Sequence, residues 1–237
     1  AEGQVYWDFY STLDASTVSY KMEEDSTWSA SMRVALQLGG KLDVFQFNYS
    51  AKDSASGAPL MLQKSTFLAP EEGMKDGQVP VHIVLIDEVS GQEWDFGDTL
   101  DVVAKDFGLA DPLILDQIEN APDMFIKGDA SIVPLASLGV PVFEKVEKLR
   151  FFTEGFVGKG KYIVQYNVTG SSGQLVPGST GFKRLVEGNN PVLVELAFKD
   201  QPSGSYAVNT KLLDSTGQAV VESSAPFMWF NQAMDSA

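Results

Sequence analysis

The chain has 237 residues, 44% of them hydrophobic and 21% charged, so it is long enough to bury one large core or two smaller ones. Its 32 acidic and 17 basic residues give a formal charge of −15, which repels phosphate backbones and anionic lipid surfaces and disfavours nucleic acid as a partner. Cysteine is absent, which excludes disulfides, thiolate metal sites and thiol catalysis.

Alternation of apolar and polar residues recurs along the chain with a period of two and predicts half-buried β-strands. The clearest examples, in chain order, are VYWDFYSTL (Val5, Trp7, Phe9), WSASMRVALQL (Trp28, Ala30, Met32, Val34, Leu36, Leu38), YIVQYNV (Tyr162, Val164, Tyr166, Val168) and VLVELAF (Val192, Val194, Leu196, Phe198). Only two short stretches, VVAKDFG and ADPLILDQIENA, invite a helical interpretation. No apolar run reaches the roughly 20 residues of a spanning helix, so we expect no membrane insertion.

Strands spaced every 8 to 12 residues, with Gly, Ser and Pro between them, predict an all-β fold of antiparallel sandwiches. Two segments repeat one another: VHIVLIDEVSGQ at 81–92 and YAVNTKLLDSTGQ at 206–218 each end in an Asp and a Gly turn before a closing strand. This order predicts two tandem related domains, residues 1–125 and 126–237. The alternative is that hairpin turns have converged on the same residues. We expect ASIVPL, in the junction between Asn120 and Lys148, to contribute a strand to the second domain.

The plan of an N-terminal aromatic strand, a strand closing on Leu-Ile-Asp before a Gly turn, and then LILDQIENA, FIKGDASIVPLAS and LRFFTEGF resembles the β-rich portion of GWxTD-domain proteins. These are exported proteins of Bacteroidota and relatives. The Gly-Trp-x-Thr-Asp signature itself does not occur in this chain. The resemblance implies tandem immunoglobulin-like sandwiches in the cell envelope, and it supplies no catalytic residues. The start at Ala1-Glu2-Gly3, without an initiator Met, is what signal-peptidase cleavage or other trimming of the chain would leave, and of the two we favour export.

Sequence motifs of enzymes are missing. The single histidine, His82, lies in a predicted strand, and no Gly-x-Ser-x-Gly accompanies it, so we expect a structural role. One His without Cys disfavours zinc. GFVGKGK at 155–161 has no helix to follow it and is better explained as a hairpin or bulge between Phe156 and Tyr162. We therefore predict no enzymatic activity and no cofactor.

Carboxylates are plentiful, but nothing in the sequence selects a catalytic pair. The runs MEEDS (Glu23, Glu24, Asp25) and APEEG (Glu71, Glu72) are candidates for calcium, which takes oxygen ligands. They lack the alternating Asp-x-Asp spacing of a dedicated loop. We interpret both as solvated acidic turns and predict no metal site.

Aromatic residues give two candidate binding surfaces. Trp28 and Trp7 alternate with apolar residues and are predicted to be core, whereas Trp94 in GQEWDFGD lies beside a turn and is a candidate platform for a sugar ring, or packs against a neighbouring domain. In PFMWFN, Phe227 and Trp229 face one way while Met228 and Phe230 face the other. This strand is apolar on both sides, so its four residues are the candidate protein interface.

The sequence thus predicts a non-enzymatic, exported binding or structural protein. It would belong to a bacterial cell-envelope or surface assembly, in the periplasm, on the outer membrane surface or outside the cell, and act through protein partners or self-assembly along edge strands and the last strand. The alternative is a carbohydrate-binding β-sandwich that uses exposed aromatic residues.

Overall fold

The computed structural model describes residues 5–13, 15–51, 60–68, 77–102, 107–115, 126–127, 130–132, 134–135, 140–144 and 147–231. The chain divides into two compact units, Ala1–Ala104 and Lys105–Ala237. Within the described ranges the only helical element is the 3-10 turn Ala15–Thr17, and no helix there has the length and apolarity needed to span a bilayer. The predicted all-β, antiparallel fold class is confirmed.

The described residues of the first unit form seven strands. They are β1 (Val5–Leu13), β2 (Lys21–Met22), β3 (Trp28–Leu38), β4 (Lys41–Ala51), β5 (Leu60–Leu68), β6 (Gly77–Asp87) and β7 (Glu93–Val102). β1 pairs with β5, and a larger sheet has β3 between β4 and β6, with β7 beyond β6 and the short β2 beside the start of β3. Every pair is antiparallel.

The alternation predicted for β3 is confirmed. The side chains on one face are buried, while Arg33 and Gln37 on the other face are exposed; the buried ones are Ala30, Met32, Val34, Leu36 and Leu38. Trp28, at the first position of the strand, is only half-buried. The side chains of Val5, Trp7 and Phe9 lie outside the described part of the chain. Leu13 at the end of β1 packs on the cluster around Met32 and Val34.

The second unit contains the remaining strands. They are β8 (Phe107–Leu109), β9 (Leu113–Leu115), β10 (Ile126–Lys127), β11 (Ala130–Ser131), β12 (Val142–Glu144), β13 (Lys148–Val157), β14 (Tyr162–Gly170), β15 (Gly181–Leu185), β16 (Gly188–Ala197), β17 (Gly204–Leu213) and β18 (Ala219–Phe230). One sheet has the order β16-β13-β8 with β9 also on β13, another the order β12-β18-β17-β14-β15, and β10 and β11 form a small hairpin. One continuous apolar core includes residues of both larger sheets, as in an immunoglobulin-type sandwich.

A tyrosine at the entrance to β17 strengthens this likeness. The Tyr206 hydroxyl donates a hydrogen bond to the backbone oxygen of Pro202 at 2.7 Å, four residues upstream, which is the tyrosine corner of such sandwiches. The order of strand pairs is also shared between the units. The pair β1-β5 corresponds to β13-β16, and β7-β6-β3-β4 corresponds to β18-β17-β14-β15.

The compact units divide between residues 104 and 105, because β8 and β9 pair with β13 of the second unit; the boundary of the two related domains at residue 125 stays a prediction. Two expectations from the sequence differ from the structure. The two stretches considered for helices contribute strands where they are described, at Phe107–Leu109 and Leu113–Leu115. The segment 155–161 is not a hairpin loop, since β13 and β14 belong to different sheets and the segment connects them.

The repeated Asp-to-Gly segments are hairpin turns with related but distinct hydrogen bonding. At the second, Gly217 N–H donates to Asp214 O at 3.0 Å, and at the first, Gly91 N–H donates to Asp87 O at 2.7 Å across one more residue. Gly217 has φ +82° and Gly91 has φ +76°, a region in which residues with a Cβ are strained. Each turn therefore needs its glycine for the same conformational reason.

The two aspartates differ in the groups that donate hydrogen bonds to them. Asp214 is partly exposed, and its Oδ1 alone accepts from the Thr216 N–H and hydroxyl and from Gln218 N–H. Asp87 is fully buried. Its Oδ1 accepts from Val89 and Ser90 N–H, and its Oδ2 accepts from the Ser90 hydroxyl and from Ser19 N–H, 68 residues away, both at 2.8 Å. Asp87 thus ties the segment after β1 to the β6–β7 turn.

Burial alone would raise the pKa of Asp87, but the hydrogen bonds from Ser19, Ser90 and Val89 outweigh it and hold the pKa below its ordinary value of 3.8. A carboxylate with a depressed pKa contributes stability above its unfolded-state pKa and loses it as the pH falls through the folded-state pKa. The contribution of Asp87 is therefore present at neutral pH and disappears below about pH 4.

We predict that Asp87→Asn lowers the free energy of unfolding at pH 7 by about 1–3 kcal/mol, because the amide cannot accept from Ser19 and the Ser90 hydroxyl as Oδ2 does. Asp214→Asn is the matched control, since its amide oxygen can keep all three bonds of Oδ1, and we expect a smaller change. Urea unfolding between pH 7 and pH 3 measures both. Equal losses in the two variants, or a wild-type stability that does not fall more steeply in acid than that of Asp87→Asn, would contradict this assignment.

Candidate protein interface on the C-terminal strand

The last strand, β18, has two different faces, as its sequence predicts. Phe227 and Trp229 are 0% and 3% exposed, whereas Met228 and Phe230 are 46% and 49% exposed. The cause is the pleat, which sends successive side chains to opposite sides of a sheet. The predicted alternation of these four residues is therefore confirmed, and their role as an interface stays a prediction.

The inward face of β18 belongs to a cluster of aromatic rings. Trp229 lies 4.8 Å from the ring of Phe198 and 5.4 Å from that of Phe143, and Phe227 lies 5.7 Å from each of the same two rings. Tyr206 stacks on Phe227 at 5.6 Å. Edge-to-face and offset contacts of this kind add to the energy of burial, so they favour the register in which Phe227 and Trp229 face inward.

The outward face of β18 continues onto its neighbour β12. These strands pair in parallel, with Val142 opposite Met228, and Pro141 O accepts a bond from Met228 N–H at 2.7 Å. Val142 and Val140 are about as exposed as Met228. We call Val140, Val142, Met228 and Phe230 the β18 outer patch. The sequence interpretation placed Val140 and Val142 in the junction and missed them, although the alternation in PVF was a usable signal.

The edges of this sheet offer little to an incoming strand. In the described part of the chain the sheet ends in β12, with three residues, and β15, with five. Short edge strands limit pairing with another chain. In the opposite sheet the longer β16 contains Pro191, which has no N–H to donate, and its carbonyl accepts from Lys183 Nζ at 2.9 Å. The face of β18 is thus better suited to association than these edges.

The candidates for chemistry form no catalytic group in the described ranges. His82 lies on the exposed face of β6, and its Nε2 is 2.6 Å from Asp95 Oδ1. Among the described residues neither side chain is hydrogen-bonded to a serine, so no nucleophile completes a triad. Both side chains are exposed. The pair is therefore a surface contact between β6 and β7.

The acidic turn at Glu23–Thr27 is satisfied by its own neighbours. Glu23 accepts from the Ser29 hydroxyl, and Asp25 accepts from the Thr27 hydroxyl and N–H, which lower the pKa of Asp25. Glu71 and Glu72 lie outside the described residues. Among the residues that the structure does describe, no group of three or more His, Asp or Glu side chains is placed to hold a metal ion.

Trp94 lies on the inner face of β7, opposite Leu85. It is half-buried and packs against the cluster that contains Met32, Val34 and Leu85. Much of its ring is therefore used in the first unit's own core, and its role as a sugar platform stays a prediction. Phe96, two residues later on the same strand, is the more exposed aromatic.

Neither a protein-family model nor a curated protein sequence matches the chain. Among solved structures, it is similar to a tetra-tandem repeat in the extending region of a large adhesion protein, at 12% identity and a TM-score of 0.30 over 94% of this chain and 50% of that one. It is also similar to a β-glucuronidase of Bifidobacterium dentium, at 10% identity and a TM-score of 0.34 over 96% of this chain and 40% of that one. The chain spans half or less of either protein, and likeness at this level carries no functional argument.

We predict that truncating an inward side chain of β18 lowers the free energy of unfolding much more than truncating an outward one. Phe227→Ala removes a ring from the centre of the core and should lower the free energy of unfolding by about 3–5 kcal/mol. Phe230→Ala removes a ring of the same size from the solvent face and should change it by less than about 1 kcal/mol. Urea unfolding of the purified chain at pH 7 measures both changes. Similar losses would mean that Phe230 is packed within the chain and is not available to a partner.

Proposed function

We propose that the chain is a non-enzymatic, exported binding or structural protein that acts in a bacterial cell-envelope or surface assembly through protein–protein association. The observation that carries the proposal is the β18 outer patch, in which Val142, Met228 and Phe230 are half-exposed on adjacent strands of a sheet whose reverse side is packed, with exposed Val140 two residues before Val142. Apolar surface on a packed sheet favours a partner, because its burial releases ordered water.

Two further features support a binding role over catalysis. The His82–Asp95 pair is exposed, and the acidic turn at Glu23 is satisfied internally. The shared order of strand pairs in the two units supports the inference that they are related tandem domains. Repeated β domains are a common way to build extended binding proteins, although the same sandwich also carries enzymes.

The charge of the chain distinguishes two kinds of partner. If the partner is a second copy, two chains of formal charge −15 repel each other, and added salt strengthens association by screening them. If the partner is a basic protein, attraction is screened instead and added salt weakens the complex. The sign of the salt dependence therefore identifies the class of partner.

We predict that protein isolated gently from cells that produce it has a discrete native mass above the 25.7 kDa of one chain, by light scattering or native mass spectrometry. Met228→Glu places a charge at the centre of the β18 outer patch and should reduce the mass to that of one chain, because burying an unpaired carboxylate is costly. Phe182→Glu is the matched control: Phe182 is also exposed on this sheet face, but on β15 at the opposite edge.

A wild-type chain that remains monomeric up to about 1 mM, the limit of weak association, with no protein isolated beside it, would contradict the proposal. Loss of assembly in both glutamate variants would instead point to general repulsion and away from the β18 outer patch.

A further inference from the structure

A polar depression lies on the solvent-facing side of the same sheet, away from the β18 outer patch. It has a volume of about 500 Å³ and is shallow and open. All the residues that line it carry polar side chains: Asn167, Thr169, Asn209, Thr210, Lys211, Glu222, Ser223 and Ser224. Because all its lining residues have polar side chains, the depression can recognise a ligand by hydrogen bonds.

The polar groups are held in fixed positions by Asn209, at the centre. Its Nδ2 donates to Asn167 Oδ1 at 3.1 Å and to Thr169 Oγ1 at 3.0 Å, and its Oδ1 accepts from the Ser224 hydroxyl at 3.0 Å. Within the fully described stretch 147–231, Asn167 accepts through Oδ1 and its Nδ2 makes no hydrogen bond, so Nδ2 is left as a donor for a ligand. A network that is already formed loses little conformational freedom on binding.

An exposed aromatic ring stands in the same row of the sheet. Phe182 on β15 is opposite Gln165, Gln165 is opposite Lys211, and Lys211 is opposite Glu222. The Phe182 side chain is 62% exposed. With strands about 4.8 Å apart, this row is roughly 14 Å long, enough for a short chain of sugar rings.

The charges of the row balance. Lys211 Nζ is 3.0 Å from Glu222 Oε1, so the one cation among the lining residues of the depression is already paired with a carboxylate. The formal charge of −15 also disfavours acidic ligands. Neutral sugars meet these conditions, because their hydroxyls both donate and accept and the apolar C–H face of a sugar ring can stack on phenylalanine.

We propose that this depression, together with Phe182, is a binding site for a neutral oligosaccharide. Asn167, Asn209 and Ser224 form the next row of the same sheet face and recognise hydroxyls along one side of the sugar chain. The Lys211–Glu222 pair recognises those at one end, and Phe182 stacks at the other. The site is independent of the proposed protein association, since none of its residues belongs to the β18 outer patch.

The test is isothermal titration of the full chain with three neutral hexasaccharides, cellohexaose, maltohexaose and xylohexaose, and with hexagalacturonate as the anionic probe. We expect at least one neutral sugar to saturate a single site with a Kd between about 10 µM and about 1 mM, and Phe182→Ala and Asn167→Ala each to weaken it at least about tenfold. Phe96→Ala is the matched control, because it removes an exposed phenylalanine from the first unit and should leave binding unchanged.

Three outcomes overturn the proposal. They are no saturable binding of any neutral hexasaccharide up to about 10 mM, far above the expected range, binding that survives both variants, and tighter binding of hexagalacturonate than of the neutral sugars. Amide NMR spectra of the variants check that each remains folded. Met228→Glu should bind sugar as the wild type does, so failure of the association proposal and failure of this one are distinguishable.

Discussion

The packing of Phe227 and Trp229 against Phe143 and Phe198 is the interaction on which the second unit depends. These rings fill the space between the two sheets, and they fix which side of β18 faces inward. Because a one-residue slip of a strand exchanges its faces, burying Phe227 and Trp229 compels Met228 and Phe230 to face solvent. The β18 outer patch is therefore a direct consequence of the core, and the sequence places apolar residues there although the core does not require them.

The repeated Asp-to-Gly segments show how similar sequences serve different structural ends. Both form the turn of a hairpin and both need glycine at positive φ. Asp214 stabilises only its own turn, whereas buried Asp87 also holds Ser19, which is distant in sequence. The hydrogen bonding of an isolated turn does not distinguish common ancestry from convergence. The same order of strand pairs around both turns is expected from duplication, whereas convergence would have to produce that order twice independently.

Sequence patterns predicted which face of a strand is buried better than they predicted which strand lies beside it. The alternation in β3, β16 and β18 gave the buried face correctly, although Trp28 and Leu196 on that face are only half-buried, because the period of two is a property of the strand alone. It carries no information on which strand lies alongside, so the change of sheet at 155–161 and the pairing of 107–115 with β13 were not predictable. Val142 was missed for a related reason: β12 is only three residues long, which is too short to show a periodic pattern. The polar depression depends on register across β14, β17 and β18, and no single segment displays it.

The two candidate sites divide one sheet face into an apolar end and a polar centre, which suits a protein that assembles through one and recognises sugar through the other.

The central claim is that the β18 outer patch is covered in the native assembly. Oxidation of methionines by hydroxyl radicals, read by mass spectrometry, tests this directly, because oxidation follows exposure and the chain contains an internal reference. Met22 in the first unit is exposed, as is Met228 in the isolated chain. We predict that Met228 is oxidised much more slowly, relative to Met22, in native material than in the dissociated chain; an unchanged ratio would contradict the account.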